Sequence, residues 1–192
     1  MEILKERICR DGVAIGTEIL KVDSFLNHQI DAALFEKIGE EFASRFSDVA
    51  PQVNKIVTIE ASGIAVAAFV ARYFDYPPVV FAKKDLPNTM TDAYYFSEIM
   101  SFTKMKMAPI RIAKKYLNEG DKVLIIDDFL AHGQAAIGLL NLIEQAGAEL
   151  LGIGIVIEKA FQGGGKKLRD RNVRVESLAV IERIEDGTIL FA

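Results

Sequence analysis

Cys9 is the only cysteine in this 192-residue chain, so an intramolecular disulfide and a thiolate metal site are both ruled out, and a reducing compartment is the simpler setting. The two histidines, His28 and His132, come with no Asp or Glu at metal-ligand spacing. No apolar run approaches the length of a membrane span. The amino terminus MEILKERICRDG is charged and helical in pattern, with no apolar core behind a basic segment, and does not read as a signal peptide. These absences make the cytoplasm the expected location. No linker rich in Pro, Gly or Ser divides the chain, no repeat or low-complexity tract is present, and 192 residues suffice for one well-buried domain. A net charge of −4 argues against a general nucleic-acid binder, which needs clustered cations to displace counterions. Two nucleotide-binding signatures are also missing. GxxxxGK followed by Ser or Thr occurs nowhere, and no GxGxxG stands at a strand-to-helix turn.

What is present is the run VLIIDDFLAHGQA from Val123 to Ala135. Val123 to Ile126 show no polar alternation, which suits a strand buried on both faces of a parallel sheet, with Asp127 and Asp128 at its carboxyl end. Apolar residues from Ala135 to Ala146 then recur at helical spacing, and Gly147 supplies a stop. Ligands of open α/β sheets bind beyond the carboxyl ends of the strands, which puts this acidic turn at a binding crevice. Free N–H groups at the start of the helix suit a phosphate. Ionised carboxylates only accept hydrogen bonds, so two of them suit the vicinal hydroxyls of a ribose. The plainer reading makes the acids helix caps; on this turn alone both readings stand.

Along the rest of the chain, Ile3, Leu4, Ile8 and Val13 suggest a short opening helix, and Asp31 caps a longer one with Leu34, Phe35, Ile38, Phe42 and Phe46 as its core stripe. Strands are expected at Lys55 to Glu60, Pro78 to Ala82, Leu150 to Ile157, Val173 to Ile181 and Thr188 to Phe191, with a helix at Ile64 to Tyr73 and a short helical connection at Gly163 to Arg171. Strands alternating with helices indicate a parallel sheet. Lys83 to Thr103 lacks a clean period: KKDLPNTMTD is turn-rich and AYYFSEIMSF suits a hairpin arm. The tract Gly163-Gly164-Gly165 reads as a flexible connection without chemistry.

Four apolar residues, two acids and a small-residue loop together resemble the phosphoribosyl-diphosphate signature of type I phosphoribosyltransferases. Most members carry a threonine-rich turn after the acids, whereas Ala131-His132-Gly133-Gln134-Ala135 is similar to the variant turn of the bacterial xanthine enzymes of that family, with His132 where asparagine is common. The resemblance extends to KVDSFLNHQID (Lys21 to Asp31), EFASRF (Glu41 to Phe46) and IGIVIEKAF (Ile153 to Phe161), nearly the whole chain. It implies a type I phosphoribosyltransferase fold: a central, mainly parallel sheet flanked by helices, a small hood from about 1–40 and 159–192, and a flexible catalytic loop over about 84–103.

The resemblance also implies an enzyme that moves the phosphoribosyl group of phosphoribosyl diphosphate to xanthine, forming xanthosine monophosphate for purine salvage. Asp127 and Asp128 would hold the ribose near the reacting carbon. Ala131, His132, Gly133, Gln134 and Ala135 would take the 5′-phosphate, and Ala61, Ser62, Lys83 and Lys84 the diphosphate. Leu20, Asn27, Lys159 and Phe161 would meet the purine. Mg²⁺ would be bound mostly by substrate oxygens and water, without a direct protein ligand set, and a homodimer is the expected assembly. The alternatives are the same chemistry on adenine, guanine or hypoxanthine, or a non-catalytic sensor of phosphoribosyl diphosphate. Known sensors of that kind carry a DNA-binding segment ahead of the fold, and no helix-turn-helix pattern precedes it here.

Overall fold

A computed structural model describes residues 1–84, 93–101 and 106–192. In chain order the elements are α1 (Glu2–Asp11), β1 (Val13–Ile15), β2 (Ile19–Lys21), α2 (Ala32–Arg45), β3 (Lys55–Ile59), α3 (Ser62–Ala71), β4 (Val79–Ala82), β5 (Tyr94–Ser101), β6 (Lys106–Ala113), β7 (Lys122–Leu130), α4 (Gln134–Ala146), β8 (Glu149–Lys159), α5 (Gly164–Arg169), β9 (Val175–Glu185) and β10 (Thr188–Phe191). The apolar runs become a six-stranded sheet in the order β10-β9-β8-β7-β3-β4. Every pairing from β9 through β4 is parallel, and only β10 runs antiparallel.

β7 lies near the middle of the sheet and explains its own composition. Leu124 and Ile126 face one apolar layer, shared with α1, α2 and α3, while Val123 and Ile125 face the other, filled by α4 and the β5–β6 hairpin. A strand sandwiched in this way has no polar face to show. Phe35, Phe42 and Phe46 are fully buried in the first layer, as their stripe predicts. Asp31 caps α2 by accepting from Leu34 N at 3.1 Å, and its other oxygen takes Arg7 Nη1 at 2.6 Å.

The departures from expectation are local. Val13 does not extend α1, because Gly12 leaves the helix in extended backbone and Val13 starts a hairpin with Lys21 opposite. α3 begins at Ser62 and ends at Ala71, ahead of Tyr73. Lys106–Ala113 is a strand that no local pattern indicated. It is held by antiparallel pairing with β5, in which Pro109 stands opposite Glu98, so its structure comes from a partner. Mutual backbone hydrogen bonds of 2.9 Å between Lys83 and Arg111 fasten this hairpin to the end of β4. Of the expected catalytic loop, 94–101 forms β5, and 85–92 with 102–103 lies outside the described residues. No described helix is long and apolar enough to cross a membrane.

Candidate active site

Because β3, β4, β7 and β8 are parallel, their carboxyl ends open on one side of the sheet. β7 runs on to Leu130, two residues beyond the expected end, so the acids stand within its last stretch of pairing with β8: Asp127 is buried and Asp128 half-buried. Asp127 Oδ1 accepts from the Asp128 backbone N–H at 3.0 Å, and the Asp128 carboxylate meets the Ser62 side chain from the neighbouring β3–α3 turn. Burial first, and then the like charge of Asp128, push the Asp127 carboxyl well above the ordinary aspartate range; burial likewise raises Asp128. Burial and mutual repulsion thus work against both carboxyls carrying a charge together. A carboxylate pair kept part-neutral by its surroundings gains charge when a cation or a hydroxyl-rich ligand arrives.

The β3–α3 turn packs directly against this pair. The Glu60–Ala61 peptide is cis, Glu60 Oε1 accepts from Lys84 N at 2.5 Å, and a Cβ at Gly63 would overlap Thr58 Oγ1 and lie 2.6 Å from Asp127 Oδ1. Only glycine lets this helix start approach so closely. Lys84 lies near enough to offset part of the rise at Asp127. Lys83 diverges from it, with Nζ 5.8 Å from the ring centroid of Phe81 on the sheet edge. Ala61, Ser62 and Lys84 thus gather beside the acids, while the half-buried Lys83 lies over Phe81.

The turn after β7 leads into α4 through Gly133 at φ 83°, and Ile137 N donates to Gly133 O at 2.9 Å as the first helical bond. It is braced from an unexpected quarter. Gly164 N donates to Ala131 O at 2.9 Å, His132 Nδ1 stands 3.2 Å from Gln162 O, and a Cβ at Gly164 would overlap Ala131 O and crowd Gly133 N. The glycine tract, read from sequence as a plain connection, is where one backbone must lie against another. Three consecutive glycines were the available signal.

A cavity of about 420 Å³ joins these parts, lined by Asp127, Phe129, the 131–136 turn, Lys159, Gln162 and the Glu18–Ile19 tip of the β1–β2 hairpin. Lys159 Nζ donates to Glu18 O at 2.8 Å and lies 5.6 Å from the Phe129 ring centroid; burial lowers its pKa. Phe129 is the aromatic wall that residue-by-residue reading missed. Strand alternation would have found it, since Asp127 and Phe129 are two apart and share a face. Phe161 is 37% exposed and outside the lining. Leu20 points into the apolar core, its neighbour Ile19 taking the place at the cavity, and Asn27 is exposed at the end of a short helical turn away from the lining. Among the described residues no group of three or more His, Cys, Asp or Glu side chains is placed to hold a metal by itself.

A parallel sheet whose central strand carries paired acids near its carboxyl end, flanked by two turns that present backbone amides, is the type I phosphoribosyltransferase fold. The sequence profile of the phosphoribosyl transferase domain matches residues 27–186, and the chain belongs to that family. It is 54% identical over 191 residues to a xanthine phosphoribosyltransferase of Clostridioides difficile, covering all of both chains. It is equally similar to xanthine phosphoribosyltransferase 1 of Clostridium perfringens, again over the whole of both. Among solved structures, adenine phosphoribosyltransferase of Rhodothermus marinus superposes with a TM-score of 0.74 at 21% identity, over 94% of this chain and 100% of that one. The Thermoanaerobacter pseudethanolicus adenine enzyme does so at 0.67 and 25%, over 78% and 81%.

Proposed function

We propose that the protein transfers the phosphoribosyl group of phosphoribosyl diphosphate to N9 of xanthine, releasing diphosphate and forming xanthosine 5′-monophosphate in purine salvage. The observation that carries this reading is the single cavity in which Asp127, the 131–136 turn and Lys159 meet, with full-length relatives of the xanthine enzyme at 54% identity beside it.

The reaction breaks the C1–diphosphate bond and forms C1–N9, and positive charge builds on the ribose ring between the two events. Orientation and electrostatics carry such a transfer; no covalent nucleophile is needed. In this reading Asp127 and Asp128 accept from the ribose hydroxyls and face the developing cation. Backbone N–H groups of Ala131 to Ala135, with His132, hold the 5′-phosphate. Ala61, Ser62 and Lys84 take the diphosphate, and Lys83 adds charge from the edge of the sheet. Lys159 donates to a purine carbonyl over the face of Phe129, with Ile19 bordering the base from the β1–β2 hairpin in place of Leu20, Asn27 and Phe161, which lie off the cavity. The buried carboxylate pair is a donor set that fits Mg²⁺ only as a minor contributor, the rest of the shell coming from diphosphate oxygens and water. When bound, that ion neutralises charge on the leaving diphosphate. A cytoplasmic homodimer is the assembly this reading carries.

The deciding assay supplies purified protein with Mg²⁺, phosphoribosyl diphosphate and each purine in turn. Nucleotide forms fastest from xanthine; turnover of adenine alone, or of no base, overturns the reading. The brace on the phosphate turn gives a separate expectation. Gly164→Ala raises KM for phosphoribosyl diphosphate about ten-fold, the equivalent of one charge-assisted hydrogen bond, by displacing Ala131 and Gly133. Gly163→Ala serves as the control. Its φ of +76° strains any substituent, yet its Cβ would touch nothing, so melting temperature drops while KM stays near that of the unaltered protein.

A further inference from the structure

Gln162 closes the 3₁₀ turn Ala160–Gln162 that follows β8, and Lys159 opens it. With three residues per turn, side chains three apart eclipse one another, so Lys159 and Gln162 share a face, and both line the cavity. The Gln162 amide oxygen is buried and accepts no hydrogen bond among the described residues. A buried acceptor left unpaired costs stability that a donor on a bound ligand restores. The residue is held in place by its own backbone, whose carbonyl meets His132 Nδ1.

We infer that Gln162 is a specificity-determining residue: its amide oxygen accepts from a ring N–H of the purine next to the carbonyl that Lys159 contacts. This rests on the base-end reading of the cavity given above. The ammonium of Lys159 can only donate, and the amide oxygen of Gln162 can only accept. An oxopurine offers the complementary couple, a C=O beside a ring N–H. Adenine offers the reverse, an amino donor beside a bare ring nitrogen, so donor would face donor and acceptor face acceptor. A site built around such a couple rejects the mismatched base more strongly than an apolar pocket can.

The test is a comparison of Gln162→Leu and Gln162→Glu with the unaltered protein, by steady-state kinetics and thermal melting. Gln162→Leu raises KM for xanthine about ten-fold, leaves KM for phosphoribosyl diphosphate within about two-fold, and does not lower the melting temperature, because it removes an orphaned acceptor. Gln162→Glu keeps an accepting oxygen and restores KM for xanthine to within about three-fold of the unaltered value. Three results overturn the inference: an unchanged KM for xanthine in Gln162→Leu, an equal rise for both substrates, or a Glu variant as impaired as the Leu one. If the unaltered protein does not turn over xanthine, the base-end reading falls and the inference with it. If it does, and Gln162→Leu matches it, the inference alone fails.

Discussion

Asp127→Asn is expected to cut turnover by about 10²–10³-fold, the loss typical of removing one preorganised electrostatic partner, while making the protein more stable. The amide retains an Oδ1 that can accept from Asp128 N–H, as Asp127 does now at 3.0 Å, so the local backbone is undisturbed. What disappears is a buried carboxyl whose ionisation the fold opposes, through burial and then the charge of Asp128. The sign follows from the raised pKa. The protonated form is favoured in the folded state, so its stabilising contribution is complete below the ordinary aspartate value of about 4 and fades as pH rises through the higher folded value. Asparagine stays neutral throughout. The variant's advantage is therefore near zero at about pH 4 and grows towards neutrality, reaching about 1 kcal/mol, the usual gain when a functional charge is removed from its site. Urea melts across that range, alongside kcat, check both halves. A variant that loses stability at neutral pH, or that keeps turnover within a few-fold, refutes the placement of this carboxylate. Asp128, more open to solvent, should lose turnover similarly on substitution with a smaller stability gain.

Arg169→Ala should be the most damaging change away from the reacting atoms. Glu158 sits immediately before Lys159 on β8 and is 2% exposed. Arg169 of α5 grips both its oxygens at 2.8 Å, and Ser177 Oγ of β9 donates to it at 2.5 Å. Burial works against this charge, but Arg169 and then Ser177 outweigh it and hold Glu158 below the ordinary glutamate range. Removing the guanidinium strands a buried carboxylate, at a cost of about 2–3 kcal/mol once the half-exposed position of Arg169 is allowed for. In the unaltered protein the depressed pKa gives stability that is present above the ordinary glutamate value and lost as pH falls through the folded one. In the variant the same carboxyl prefers its proton, so the deficit narrows on going from about pH 7 to about pH 5. Denaturant midpoints at the two pH values decide the matter; a deficit that is small, or that ignores pH, means the clasp is solvated and of little weight.

How far the fold and the site can be read without coordinates depends on whether the determining contacts are local. β7 and its acids are legible because a strand covered on both faces leaves a continuous apolar run, and the caps at Asp31 and Gly147 are legible because they act within one turn. β6 is not, since residues 106–113 are extended only by virtue of β5. Leu20 and Ile19 exchange roles for a related reason. Resemblance named Leu20 for the purine, but the pleat of β2 turns Leu20 inward to the core and leaves Ile19 at the cavity. The support of the 131–135 turn by Gly164 left only the glycine tract as a signal, without its partner, because it joins backbones more than thirty residues apart. Lys83 and Lys84 look alike in sequence and are parted by strand alternation at the edge of the sheet.

The strand order has a practical corollary for protein engineering. With β7 between β3 and β8, the pieces of chain proposed to meet the leaving group and the base come from opposite neighbours of the strand that carries the acids. Residues 158–169 can then be transplanted as a cassette from a relative with another base preference, leaving the β3 side of the sheet untouched, provided the graft keeps glycine at 164, whose backbone meets Ala131 and Gly133.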